Sequence, residues 1–570
     1  MAGRRGQVSW VTANQLKPTA NPPWGKRALR SLRLASPTDG WLIGDQGLVL
    51  VSRDGGLHWQ KPAGALPRPV EEQFDFRALA LAGKHCWIAG APGSRVLHSE
   101  DGGKTWNVFS TPQSLPVEAL TFLDSQRGWA VGALGTIMAT RDGGKTWRVQ
   151  RRGGERVAIL GIYSQSKQVP WESFARFAGN QGYLSVVHVL DQAEAVMGRA
   201  AVQDQEQRLA EAVTSIGGSS SGLVGFFTFP HPELKLTAQQ IARQWDRSSE
   251  RPSWQILEEQ LVRRIRQWRP EVVLTEAAST GGEQPAAQLT HQLVLRAVEL
   301  AADRTIFPEQ ISVAGLQPWS VKKVVSTLPA GVRGSVNVPH DQLATRLGLS
   351  LSDCAFVARG LISDRYQQTA TSQGFRFSIN RLPQELGTTG VMSGIRLTPG
   401  GTARRLLTAA QVTNLERLTH LAQKRRKVAQ LLSHEASPLE RSGSWLAQIQ
   451  DLTRGLETQQ IAEVLYQLGH QYHESGQPQL AVEVFRRLVR DCPGHDLTPA
   501  AYLYLIQCHA SGEVAWQHRV QHQPVVRQGQ SRSAADQKKE LLKQLAELEQ
   551  AHVTPDRKSF LEKLRDQFLS

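Results

Sequence analysis

Three stretches of the chain are copies of one another. A tandem repeat limits the fold more than any other feature, because each copy must be the same supersecondary unit. The copies read GWLIGDQGLVLVSRDGGLHW (40–59), CWIAGAPGSRVLHSEDGGKTW (86–106) and GWAVGALGTIMATRDGGKTW (128–147). Their aspartates, Asp54, Asp101 and Asp142, are spaced 47 and 41 residues apart. In each copy a short apolar strand follows Trp41, Trp87 or Trp129. A glycine turn and a second strand come next, and Asp-Gly-Gly then leads to an aromatic. Asp-Gly is a strong hairpin signal, since glycine accepts positive φ and aspartate caps its own turn. Trp59, Trp106 and Trp147 are placed to close each hairpin by packing on its strands. Turn chemistry alone accounts for the three aspartates, so they are read as structural.

The pattern Ser/Thr-x-Asp-x-Gly-x-Thr-Trp resembles the Asp-box (BNR repeat) of sialidase-type β-propellers. The whole unit is similar to the propeller family of photosystem II assembly factors, the first copy departing with His58 where the others have threonine. The resemblance implies β-propeller-like blades over residues 1–150, with the Asp-boxes at blade edges and remote from any active site. Three blades are fewer than the about four to eight of a closed propeller. Either residues 1–39 add strands to a blade, or the blades form an open stack packed on something else.

From 156 the pattern changes. Apolar strands at 157–162, 184–190, 222–227 and 271–276 alternate with amphipathic helices at 203–218, 254–270 and 286–303. Such alternation predicts an α/β Rossmann-like parallel sheet with helices on both faces. Ligands on sheets of this kind sit at the carboxyl ends of the strands, here Tyr163–Gln168, His231 and Glu276–Gln284. The segment RPEVVLTEAASTGGEQPAAQLTHQLVLRAVELAAD resembles the PIG-L/LmbE-like N-acetylglucosaminyl deacetylases, as do EQRLAEAVTSIGG and LQPWSVKKVV. That resemblance covers about 156–400 and implies a zinc hydrolase with two signature motifs. His-Pro-Asp-Asp would fall on Gln165, Ser166, Lys167 and Gln168, and His-Pro-Asp-His on Gln284, Pro285, Ala286 and Ala287. Amides, an ammonium and alanines are not zinc ligands. Without the metal, no water is activated. The sequence therefore predicts a pseudoenzyme with no catalytic residue, no metal ligand and no cofactor. A residual polar pocket of Gln165, Lys167, Gln168, His231 and Gln284 would be open to a carbohydrate or an anion. His231, with Glu233 nearby, and His291 are read as surface or capping residues, and Glu206 as a structural ion-pair partner.

The last third is helical. Within AEVLYQLGHQYHESGQPQLAVEVFRRLVRDCP (462–493), Leu465, Leu468, Gly469, Tyr472, Ala481, Phe485 and Pro493 fall at tetratricopeptide positions. The domain reading is thus blades (1–150), a deacetylase-like domain (156–400), a tetratricopeptide-like helical region (401–516), and a linker with short amphipathic helices (517–570). A long helix is expected within 406–435. Such outer parts predict protein partners.

A net charge of +15 permits anionic partners. The arginines are spread along the chain and no recognised motif accompanies them, which argues against a dedicated nucleic-acid interface. No apolar run approaches the about eighteen residues of a membrane span. Four separated cysteines, Cys86, Cys354, Cys492 and Cys508, exclude a zinc ribbon and argue against a disulfide framework. As written the start is no signal peptide, which reads as cytoplasmic; a misassigned start would allow the periplasm or secretion. The function expected is a non-catalytic binding or assembly scaffold. Its rivals are a metal-dependent deacetylase with relocated ligands and a basic scaffold associated with nucleic acid.

Overall fold

The computed structural model of the chain describes residues 9–12, 15–18, 27–66, 68–190, 201–224, 227, 229, 236–247, 249, 251–278, 284–362, 370–383, 389–405, 458–474, 476–495 and 497–510, with residues 539, 542, 543 and 546. Two units are distinguished, Met1–Thr413 and Asn414–Ser570.

The repeats form three small antiparallel sheets. The first has strands Leu29–Leu34, Gly40–Gly44 and Val49–Ser52, with Gln60 bridging to Val51. The second has Asp75–Ala82, His85–Ala91, Arg95–Ser99 and Asn107–Ser110. The third has Val117–Phe122, Gly128–Gly132, Thr136–Thr140 and Arg148–Arg151. Residues ahead of the first copy supply an edge strand, Leu29–Leu34, while Ser9–Thr12 and Gln15–Pro18 pair with each other in a separate ribbon.

Each Asp-box is a closed hydrogen-bond circuit. Asp101 accepts from the Thr105 amide at 2.9 Å and the Thr105 hydroxyl at 2.7 Å. Asp142 accepts likewise from Thr146 at 2.9 and 2.6 Å. In the first copy His58 replaces the threonine chemically as well as positionally. Its amide donates to Asp54 at 3.0 Å, and its ring Nδ1 lies 2.7 Å from the same carboxylate. Hydrogen bonds to the ionised form, those from the following backbone first, hold Asp54 and Asp101 well below the usual carboxylate range.

The blades are fastened to one another by tryptophan. Trp41 lies under the second turn, where a Cβ on Gly103 would come within 2.6 Å of the indole, and it meets Trp106 edge-on at 5.9 Å. Trp87 repeats the arrangement one blade on. It donates to the Gly143 carbonyl at 2.7 Å and stacks on Phe122 at 3.7 Å. Trp129 holds the corresponding place in the third blade, is half-exposed, and has no further Asp-box turn after it among the described residues.

The α/β domain corrects the expectation of an all-parallel sheet. Its seven strands run in the order Ser220–Leu223, Ser185–Val189, Ile159–Tyr163, Val272–Glu276, Lys323–Thr327, Ser372–Asn380, Val336–Pro339. The first five are parallel, and Ser372–Asn380 is antiparallel to both of its neighbours, so the sheet is mixed. After Lys323–Thr327 the chain first lays down the edge strand Val336–Pro339 and the helix Leu351–Ile362, and Ser372–Asn380 then inserts between the two strands, antiparallel to both. Helices Ser253–Trp268 and Pro285–Ala302 cover one face, and Ala201–Ser215 with Leu351–Ile362 cover the other.

Among the described residues the three blades form an open stack that packs on this domain. Leu115 and Leu134 of the third blade join the core beneath Ser253–Trp268. Asp75 of the second blade is buried against Arg263 at 2.9 Å and Arg264 at 3.4 Å. Arg30 of the first blade grips Asp45 at 2.7 Å and Glu206 at 3.0 Å.

In the second unit, helices Thr458–Glu474, Pro478–Asp491 and Thr498–Ala510 share one core. Gly469 lets the first two approach, because a Cβ there would lie 2.6 Å from the Phe485 ring. Tyr504 of the third helix stacks on Phe485 at 5.0 Å. The expected helix at 406–435 and the segments at 517–537 and 557–570 lie outside the described residues.

Candidate functional site

The strand order places the topological switch between Ile159–Tyr163 and Val272–Glu276. From the first of these the chain builds outward to one edge, and from the second toward the other. A crevice opens outside the carboxyl ends of two such strands. Ser164 and Glu276 face each other there. Glu276 is 6% exposed, although it ends an otherwise apolar strand. One carboxylate oxygen accepts from the Ser164 amide and the other from the Ser164 hydroxyl, the latter at 2.9 Å. Burial pushes the Glu276 carboxyl up to about 7, with the two Ser164 bonds and the Lys167 charge pulling back.

The surroundings complete a polar floor. His291, one turn into the helix Pro285–Ala302, donates through Nδ1 to the Glu276 carbonyl at 2.9 Å. Burial lowers its pKa. The Tyr163 hydroxyl lies 3.2 Å from that of Thr327, and burial raises the phenol's pKa. Ser326 lies 2.6 Å from Ser378 of the antiparallel strand.

Of the pocket residues singled out from sequence, four are described. Gln165 is half-buried and begins the short turn Ser166–Gln168, in which Lys167 and Gln168 are exposed. Gln284 is exposed and begins the helix Pro285–Ala302. His231 and Glu233, with Glu283, lie outside the described residues. The rim therefore comes from two strand ends, and the buried carboxylate between them was not singled out in the sequence. Its signal was a glutamate closing the apolar strand EVVLTE, one whose burial depends on Ser164 of the neighbouring strand.

A catalytic zinc site commonly takes three protein ligands from His, Cys and carboxylates. Among the described residues no group of three such side chains could hold a metal ion. Both Glu276 oxygens are engaged by Ser164, His291 Nδ1 is engaged by a carbonyl, and Lys167 adds a like charge that repels a cation. The described donor set does not fit a zinc ion.

Comparison with known proteins bears on the blades. Residues 26–121 match the family described as Photosynthesis system II assembly factor YCF48. The photosystem II assembly lipoprotein Ycf48 of Synechococcus sp. (strain CC9902) is 32% identical over 117 residues, which are 20% of this chain and 34% of that protein. The chain thus spans about a third of the length of that relative. A solved structure of YCF48 bound to D1 peptide matches 24% of this chain and 43% of its own, at 25% identity and a TM-score of 0.20. N,N'-diacetylchitobiose deacetylase from Pyrococcus horikoshii matches 36% of this chain and 71% of its own, at 13% identity and a TM-score of 0.27. The blades are similar to Ycf48.

Proposed function

We propose that the chain acts by contact rather than by reaction. In this reading it is an assembly-type scaffold of Asp-box blades (1–150), a deacetylase-like α/β domain without hydrolytic chemistry (156–400) and a tetratricopeptide-like helical region (401–516). The observation that carries the reading is the occupied carboxylate at the switch point. Glu276 spends both oxygens on Ser164, and the rim around it offers amides and an ammonium. A metal-dependent deacetylase needs the opposite, a cluster of free anionic or imidazole donors.

The family matched by residues 26–121 is described as an assembly factor, and only that class of work, the holding of other proteins, is carried over. The third blade supports it. Trp41 and Trp87 each dock on the next Asp-box turn, whereas Trp129 and Val131, the latter 42% exposed, face outward. The occupant that fits is a glycine-rich blade turn of a partner protein, because that is what the two preceding tryptophans accept. The rim residues Gln165, Lys167, Gln168 and Gln284 would add a small polar ligand, an amino sugar or an anion.

A second reading, an amide hydrolase with relocated ligands, has one observation in its favour: a carboxyl titrating at about 7 suits a general acid–base. Turnover separates the two. The purified chain, supplied with zinc and N-acetylglucosamine derivatives, is expected to release no acetate above background. Release that disappears in Glu276→Gln would establish the hydrolase instead.

A further inference from the structure

A cavity of about 320 Å³ lies where the loops of the second and third blades meet the α/β domain, away from the switch point. Arg95, Arg266 and Arg269 line it together with Gln113 and Thr111, and no carboxylate is among its lining residues. Three guanidiniums converging without a carboxylate make a strongly positive enclosure. Arg266 is fully buried and has its donors on backbone carbonyls, among them Asp303 at 2.6 Å and Ile306 at 2.9 Å, and on the Gln310 side-chain oxygen at 3.1 Å, so it contributes charge without reaching out. Arg269 gives one terminal nitrogen to the Glu155 carbonyl at 2.7 Å, while its buried Nε has no partner. Arg95 gives Nε to the Val313 carbonyl at 3.2 Å and NH1 to Ser110. The Gln113 side chain has both amide atoms buried and unpartnered. Gly315, at φ +65°, leaves room for the Arg95 guanidinium, since a Cβ there would lie 3.0 Å from it.

Buried polar atoms without partners are rare and mark a place where a partner belongs. Here the open groups are the Arg269 Nε–H and the Gln113 amide N–H, which call for an oxygen-rich anion, and the Gln113 amide oxygen, which the hydroxyl of a singly protonated phosphate would satisfy. We infer that this inter-domain cavity is a binding site for a small phosphate-bearing molecule, its phosphoryl oxygens taken by Arg95, Arg269 and Gln113. A dianion matches the charge better than a single carboxylate, and the volume is at the small end for ligand sites. Burial pulls the Arg266 and Arg269 pKa values below the ordinary one, and an anion beside them would relieve that cost.

The test uses the full chain and inorganic phosphate as probe, titrated calorimetrically, with succinate as the carboxylate arm. Saturable phosphate binding is expected, weakened about tenfold or more by Arg269→Gln and again by Arg95→Gln, as loss of a charge-assisted bond implies. Gln113→Glu places a carboxylate in the cavity without removing an arginine, and it should weaken phosphate at least as much. That variant keeps the test alive where an arginine variant fails to fold. Absence of saturable binding at millimolar phosphate would overturn the inference, as would binding unchanged in Gln113→Glu. Succinate binding tighter than phosphate would overturn the ligand class.

Discussion

Replacing Glu276 by glutamine isolates the one buried acid at the switch point. Its carboxyl rises from the usual 4.5 to about 7, with burial as the first cause. A folded-state pKa above the unfolded one means that the protonated form is favoured by folding. Stability is then fully present below about pH 4.5 and declines as pH rises, until the folded carboxyl has also ionised above about pH 7. At about 1.4 kcal/mol per pKa unit the whole span amounts to about 3 kcal/mol. Glutamine cannot ionise, so Glu276→Gln removes this slope. The substitution also costs a pH-independent increment, since one of Ser164's two donors loses its acceptor. Urea denaturation of wild type and variant, followed by tryptophan emission at pH 5 and pH 8, cancels every other titrating group. The free-energy effect of the substitution should be about 2–3 kcal/mol more favourable at the higher pH. The same effect at both pH values would show that Glu276 titrates as an ordinary carboxylate, and the account of its burial would fail.

Five further substitutions, at four positions, test the packing and the turns. Gly103→Ala places a Cβ 2.6 Å from the Trp41 ring at φ +87°, whereas Gly102→Ala, at φ +74°, meets nothing within 4 Å. By chemical denaturation the first should cost about 2–4 kcal/mol and the second about 1 kcal/mol. Asp75→Asn leaves Arg263 and Arg264 buried without their carboxylate and should cost about 3–5 kcal/mol in the same measurement. His58→Thr restores the repeat and should leave the melting temperature unchanged, while His58→Ala, which removes the ring bond to Asp54, should lower it.

What could be read from the chain depended on how local its causes are. The Asp-box turns were legible because Asp101 and Thr105, or Asp142 and Thr146, settle their geometry within four residues. The helix Pro285–Ala302 was legible from its apolar spacing and from Pro285 at its start. How the open stack ends was not legible, since Arg263 meets Asp75 across 188 residues. The direction of Ser372–Asn380 was hidden for a similar reason: its pairing with Lys323–Thr327 depends on the route of the chain between them and not on its composition. At the site, the rim residues Gln165, Lys167 and Gln284 came from motif positions. The buried floor did not, because Glu276 becomes a perturbed acid only when Ser164 of another strand closes over it. The cavity of Arg95, Arg266 and Arg269 was equally hidden, being assembled from a blade and a helix end far apart in sequence.

The most direct test of the central claim is the zinc content of the full-length chain, equilibrated with zinc, freed of unbound metal by gel filtration and measured by elemental mass spectrometry. The account predicts far less than one zinc per chain. One zinc per chain, removed by a chelator and restored on adding the metal back, would contradict it.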